Sequence, residues 1–206
     1  MIVTPDLRLE KKFWQIGLLR IAGMDEAGRG ALAGPVTVGA VILPNVPRLS
    51  RTLSGVRDSK QMTPRQRDRW AARIKEIARA WSLGWASADE IDSLGISAAT
   101  RLAAERALAA LTLVPDFLLT DFNLNPDTDI PLTSIVKGDQ KSLTIAAASI
   151  LAKTARDAVM CELEKQFPGY DLSRHKGYGT AIHRLAIEKL GHSPIHRKTF
   201  AFREKK

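Results

Sequence analysis

The sequence contains a single cysteine, Cys161, so no disulfide can close within the chain. This excludes a disulfide framework and points to a reducing compartment. It also lacks any apolar run of membrane length. The first twenty residues mix Asp6, Arg8, Glu10, Lys11, Lys12 and Arg20 with apolar positions, a pattern that fits neither a signal peptide nor a membrane span. Internal repeats, low-complexity tracts and Gly/Ser linkers are missing as well. These absences lead us to expect a soluble, cytoplasmic protein with no membrane partner. Acidic residues are scarce: 22 Asp and Glu face 31 Lys and Arg, a formal net charge of +9. Such an excess favours a polyanionic partner, although a merely basic soluble protein carries the same total.

At 206 residues and 45% hydrophobic composition, the chain is long enough for one domain with an adequate core. Its cations are clustered. Arg65, Arg67, Arg69, Arg73 and Lys75 crowd one segment, and the C-terminal quarter holds a second group running from Arg174 and Lys176 to Arg203, Lys205 and Lys206. A basic surface around a small acidic centre suits a nuclease, because cations hold phosphates and carboxylates hold metal.

Hydrophobic patterning predicts strands over 18–24, 36–43, 81–86, 116–122 and 133–136. Thr63 before Pro64 starts a helix expected to reach about Ala80. Ser87 with Glu90 forms a capping box, opening an alanine-rich helix to about Leu111. A long helix over 142–166 ends at Pro168 and Gly169, and a last helix runs from beyond Gly179 to about Leu190. Strands first, then alternating helix and strand, predict an α/β fold with a mixed sheet.

Met24-Asp25-Glu26-Ala27-Gly28-Arg29-Gly30 is the sharpest local feature. Two adjacent acids at the end of an apolar strand are costly unless something cationic meets them. Side chains alternate along a strand, so both acids face one site only if the chain bends there. Glycines at 28 and 30 permit such a bend, but a polar hairpin turn fits the same residues, and the local pattern leaves both open. A dinucleotide fingerprint is excluded, because Pro35 and a β-branched strand follow the glycines where a helix is required. Asp121 ends an apolar strand, where it is either a metal ligand or a loop cap. Asp139 precedes a helix, where a carboxylate ordinarily partners the helix dipole. Asp157 reads as a surface acid or a local ion pair. The four histidines fit basic surface or core positions, and Pro194 between His192 and His196 argues against a zinc pair.

Taken together, DEAGRGALAGPV, the DSK at 58–60, Asp121, KGD at 137–139, AAASILAKTARD at 146–157, HKGYGT at 175–180 and SPIHRKTF at 193–200 resemble the ribonuclease HII family. The blocks lie in order over nearly the whole chain after the first dozen or so residues. The resemblance implies a ribonuclease H-like fold: a mixed five-stranded sheet flanked by helices, with a small helical C-terminal extension. It implies one catalytic domain over 1–206, with a core over about 15–166 and a substrate-binding extension over 167–206. It implies four catalytic, metal-binding acids, Asp25, Glu26, Asp121 and Asp139. It assigns Gly28, Arg29 and Gly30 to the ribose 2′-hydroxyl and Tyr178 to the deoxyribose that follows, while Lys60 and Ser149 are read as phosphate contacts. Arg156 and Asp157 match a pair taken as structural. Two Mg²⁺ or Mn²⁺ ions are implied during catalysis, with RNA–DNA hybrids and ribonucleotide-containing DNA duplexes as partners of a monomer. The activity implied is hydrolysis on the 5′ side of a ribonucleotide, leaving a 5′-phosphate and a 3′-hydroxyl, in the service of ribonucleotide removal from DNA.

Two departures stand out: Phe122 follows Asp121 where glycine is usual, and Ala31 replaces a usual proline. Three rival readings remain. Ribonuclease HIII shares the acids but carries an extra N-terminal domain, for which the dozen residues before the first strand leave no room. An integrase-like phosphotransferase shares the acids but not GRG or GYGT. A non-catalytic basic nucleic-acid-binding module shares only the charge.

Overall fold

The computed structural model describes residues 4–200. Arg203, Lys205 and Lys206, part of the expected basic C-terminal quarter, lie outside the described residues. Five strands, β1 (Ile21–Ala27), β2 (Val36–Ile42), β3 (Ala80–Ala86), β4 (Phe117–Asp121) and β5 (Leu132–Ile135), form one sheet in the order β3-β2-β1-β4-β5. The β1–β2 and β2–β3 pairs are antiparallel, and the β1–β4 and β4–β5 pairs are parallel. The sheet is thus mixed and five-stranded, as expected. β2 is buried along its whole length, which explains why it reads as a continuous apolar run and not as an alternating one.

The helices are α1 (Arg8–Gln15), α2 (Leu49–Thr52), α3 (Pro64–Ile77), α4 (Ala88–Leu94), α5 (Ile96–Ala109), α6 (Leu143–Gln166), α7 (Leu172–His175) and α8 (Ala181–Leu190). They divide the core between the two faces of the sheet. Ile21, Val41 and Leu119 point to the face covered by α1, α3 and α6. Ala22, Met24, Val38 and Ala40 point to the face covered by α4 and α5. Helix α6 lies directly on β1, because a Cβ at Gly23 would collide with the Thr144 backbone. Among the described residues, no helix is long and apolar enough to cross a membrane.

Local signals account for several boundaries. The expected capping box forms, with Ser87 accepting from the Glu90 amide, and Thr63 with Gln66 forms a second that the sequence reading did not name; each is reciprocated by the glutamine or glutamate side chain. Three expectations need correction. The helix begun at Ser87 does not run unbroken to Leu111; Gly95, at φ 80°, divides α4 from α5. The helix begun at Pro64 ends at Ile77, and β3 already starts at Ala80. Helix α1 was not anticipated. Its buried positions include Glu10, whose carboxylate accepts from the Ser142 hydroxyl at 2.6 Å and the Thr144 amide at 3.0 Å, at the N-terminus of α6. A charge at an inward-facing position hides the amphipathic pattern that would otherwise mark a helix.

Candidate active site

β1 and β4 run side by side in parallel, and their pairing stops at Met24 and Thr120. The next residue on each strand is an acid: Asp25 on β1 and Asp121 on β4. Strand β1 continues without interruption through Ala27, paired with β2, so neither a bend nor a hairpin turn, the two readings left open, falls at the acid pair. Instead, the edge facing β4 is open beyond Met24. Asp25, Glu26 and Asp121 each offer a carboxylate oxygen, and these oxygens lie within 4.8 Å of one another. Phe122 does not disturb this arrangement. Its side chain is 52% exposed, and the turn takes its left-handed residue at Asn123, at φ 68°. Asp139 sits in a short 3₁₀ turn (Gly138–Gln140), buried beside the three. The Gly138 amide donates to Asp121 Oδ1 at 2.7 Å, tying this turn to the end of β4.

These carboxylates are costly to ionise together. Burial, then Glu26 and Asp121, push Asp25 well above the ordinary carboxylate range, against a hydrogen bond from Ser149. Burial and Asp121 raise Glu26, opposed by Arg29. Burial, then Asp58 and Asp121, lift Asp139 to about 6. Glu26 Oε2 is buried with no hydrogen-bond partner. Three converging hard oxygen donors and one orphaned buried oxygen fit a divalent cation, which takes such ligands and relieves the repulsion. The acidic cluster can therefore hold a divalent metal.

Around the acids lies a cleft lined by Glu26, the Gly28-Arg29-Gly30 turn, Ser59, Lys60, Lys153 and Tyr178. It thus gathers most of the expected substrate contacts from segments far apart in sequence. Gly28, at φ 91°, packs so tightly on the buried Arg156 guanidinium that any Cβ would collide with it. Lys60 lies on a turn capped by Asp58, which accepts from its amide at 2.9 Å. Burial alone would lower the Lys60 ammonium's pKa, but Asp25, Asp58, Asp139 and Glu26 outweigh burial and raise it. Ser149 is buried on α6, with its hydroxyl 2.9 Å from that of Ser59 and bonded to Asp25. It therefore stands behind Asp25, away from the cleft mouth. The half-buried Tyr178 ring lies 5.2 Å from Lys153 Nζ and 5.4 Å from the Arg156 guanidinium.

Behind the cleft, Arg156 and Asp157, matched in the sequence to a structural pair, are joined by Arg197, to which the sequence assigns no role. Arg156 is fully buried and donates to the carbonyls of Pro35, Ala33 and Lys176. Arg197 is equally buried and donates to the carbonyls of Gly34 and Arg29. Arg156 thus joins the 28–35 loop to the 175–180 loop, Arg197 ties the 28–35 loop to the 193–197 segment, and the Leu32 amide adds a 2.8 Å bond to the Gly177 carbonyl. Burial, reinforced by the nearby Arg156, pushes Arg197 down to about 9. Asp157 is no surface acid: it is buried between Arg67 at 2.9 Å and Lys153 at 2.8 Å. Nothing in hydrophobic periodicity announces a buried arginine. The only available signal was that these residues fall inside the sequence blocks quoted above.

Comparisons with known proteins agree with this architecture. The family model described as Ribonuclease HII matches residues 22–203. A ribonuclease HII of Thermus thermophilus is 54% identical over 195 residues, covering 94% of this chain and 91% of the relative. One from Dehalococcoides mccartyi is 50% identical over 200 residues, covering 97% and 94%. The crystal structure of ribonuclease H2 from Pyrococcus horikoshii is similar with a TM-score of 0.72 at 26% identity, covering 88% of this chain and 94% of that one. The chain belongs to the ribonuclease HII family, endoribonucleases acting on RNA paired with DNA.

Proposed function

We propose that the protein hydrolyses the phosphodiester on the 5′ side of a ribonucleotide in duplex with DNA, including a single ribonucleotide embedded in a DNA strand. The products are a 5′-phosphate and a 3′-hydroxyl, and the cellular role is removal of ribonucleotides from DNA in the cytoplasm. The observation that carries this reading is the converging trio of the buried Asp25 and the part-buried Glu26 and Asp121, beside a cleft lined by the GRG turn, Lys60 and Tyr178. Asp25, Glu26, Asp121 and Asp139 would hold two divalent ions, Mg²⁺ or Mn²⁺. When bound, such ions supply the positive charge that activates the attacking water and neutralises the phosphate oxygens.

The chain's own residues do the rest. Ser149 orients the Asp25 carboxylate. Lys60, on the rim among four acids, offers its ammonium to a phosphate oxygen. The peptide groups of Gly28, Arg29 and Gly30 approach the ribose closely enough to bond its 2′-hydroxyl, the group that separates RNA from DNA. The Tyr178 ring packs on the next sugar and selects a deoxyribose there, since a further 2′-hydroxyl would crowd it. A core over about 15–166 carries the metal site and the segment 167–206 carries Tyr178, in one catalytic domain. A single chain supplies every one of these residues, consistent with a monomer.

The test is a DNA duplex carrying one ribonucleotide, incubated with Mg²⁺ and mapped to the nucleotide. Cleavage on the 5′ side, abolished by chelator and absent from an all-DNA duplex, is expected. Cleavage of the all-DNA duplex, or activity that survives chelation, would contradict the proposal.

A further inference from the structure

All four histidines of the chain lie together, His175 at the start of the 175–180 loop and the others packed behind it, outside the acidic site. His183, the third residue of α8, is fully buried, and His196 is 1% exposed. Their Nε2 atoms face each other at 3.1 Å. His183 Nδ1 lies 3.1 Å from the Tyr178 carbonyl oxygen. At the other end, His196 Nδ1 lies 3.1 Å from the Ser193 amide nitrogen and 2.8 Å from its hydroxyl.

The two ends of this chain of contacts determine its protons. A peptide N–H can only donate, so the Ser193 amide requires a bare Nδ1 on His196. A carbonyl can only accept, so the Tyr178 oxygen requires a proton on His183 Nδ1. With both rings neutral, one proton remains between the facing Nε2 atoms, and it belongs to His196. Every bond then runs in one direction: Ser193 N–H to His196, His196 Nε2–H to His183, and His183 Nδ1–H to the Tyr178 carbonyl. His175, stacked on His183 at 4.2 Å, obeys the same logic. It accepts from the Gly177 amide at 3.2 Å and donates through Nε2 to the Tyr170 carbonyl at 2.7 Å. Burial, then the neighbouring histidines, depresses both His183 and His196 to about 4, which keeps both rings neutral at physiological pH.

The relay ends on the peptide that carries Tyr178. That loop needs holding: Lys176 and Gly177 both adopt positive φ, 55° and 79°. We propose that His183, oriented by His196, is a positioning residue for Tyr178, fixing the loop so that the tyrosine ring meets the sugar after the ribonucleotide and sets the preference for an RNA-to-DNA junction. The proposal rests on the reading of Tyr178 given above. His183 touches no reacting atom, and its effect falls on the choice between substrates, with hydrolysis of a continuous hybrid left largely intact.

The experiment compares kcat/KM for a duplex with one embedded ribonucleotide against that for a long RNA–DNA hybrid. The proteins are wild type, His183→Phe, His183→Asn, Tyr178→Ala and the Tyr178→Ala/His183→Phe double variant. Phenylalanine keeps the stacked ring but loses the donor. Asparagine places its amide N–H where Nδ1–H was. His183→Phe is expected to lower the single-ribonucleotide to hybrid ratio about tenfold, roughly the worth of one well-made hydrogen bond. His183→Asn is expected to restore most of it. In the Tyr178→Ala background His183→Phe is expected to lower the ratio no further, because the two act as one unit. An unchanged ratio in His183→Phe, equal losses in the Phe and Asn variants, or additive losses in the double variant would overturn the proposal. Imidazole ¹⁵N spectra supply an independent reading, with a protonated Nδ1 on His183 and a protonated Nε2 on His196; the opposite tautomers would also overturn it. If Tyr178→Ala itself leaves the ratio unchanged, the junction role of Tyr178 falls. The relay is then judged by the amide resonances of residues 177–180. Displacement in His183→Phe but not in His183→Asn upholds it, and their persistence in both overturns it.

Discussion

Two of the regions where the molecule buries charge border the cleft, and they do so in opposite ways. At the ends of β1 and β4, carboxylates of like sign crowd together, and Glu26 Oε2 has no partner. Behind the cleft, Arg156 and Arg197 are buried just as completely, yet their guanidinium groups donate to five backbone carbonyls, and the adjacent histidines satisfy one another in a directed relay. The first region is incomplete by construction and needs cations from outside. The second is self-sufficient and serves as the frame that keeps two loops in register. Beside the cleft, the converging carboxylates with the unpartnered Glu26 oxygen fit a cation, and the fully bonded guanidinium groups hold the walls in place.

Breaking the first region should cost the reaction. Asp25→Asn or Asp121→Asn is expected to leave a folded protein and to lower cleavage of the single-ribonucleotide duplex by at least about 10²–10³-fold, comparable with removing one electrostatic stabiliser of a transition state. Steady-state rates in Mg²⁺ check this, and near-normal rates in both variants would remove these acids from the metal site. Breaking the second region should cost the fold. Arg197→Met strands the carbonyls of Gly34 and Arg29 and is expected to lose about 3 kcal/mol of stability by urea denaturation. A loss no larger than that of a surface substitution would show that water replaces the guanidinium without penalty.

A subtler contrast is in pH. His183 and His196 sit at about 4 in the fold, below the ordinary histidine value of 6.5, so the folded state favours the neutral rings. The groups facing them are His175, His192 and Tyr170. Their stabilisation is complete above about pH 6.5 and is lost as pH falls toward 4, by roughly 1.4 kcal/mol per pH unit for each proton taken up. Denaturation midpoints measured from pH 7.5 to 4.5 should show this slope in wild type and a shallower one in His183→Phe. Equal slopes would place the acid sensitivity elsewhere.

Much of the frame was legible because local chemistry announces it. Thr63-Pro64 and Ser87 with Glu90 mark helix starts through side chains that cap backbone amides, and β2 is too apolar to be anything but a buried strand. Asp25, Glu26 and Asp121 stood out locally but with other readings open, and only the family blocks joined them to Asp139, which alone reads as an ordinary helix-dipole partner. The burial and partners of the inward-facing charges escaped, and for a common reason. Glu10, Arg156 and Arg197 are charged residues buried against backbone groups that come from distant parts of the chain. Periodicity assigns charges to the surface, and only the tertiary structure reveals which carbonyls or amides await them. The histidines followed suit: surface and core remained equally open until α8 and the 193–197 turn were seen to meet.

The central claim is that the acidic cluster is unstable by itself and is completed by divalent cations. Thermal unfolding of wild type and Asp25→Asn, each metal-free and then titrated with Mn²⁺, tests it most directly. Removing one repelling buried carboxylate should raise the metal-free midpoint by about 2–4 °C, corresponding to roughly 1 kcal/mol for a chain of this size. Added Mn²⁺ should then raise the wild-type midpoint while moving that of Asp25→Asn little. A wild type unmoved by Mn²⁺, or an Asp25→Asn protein that is less stable without metal yet equally stabilised by it, would contradict the account.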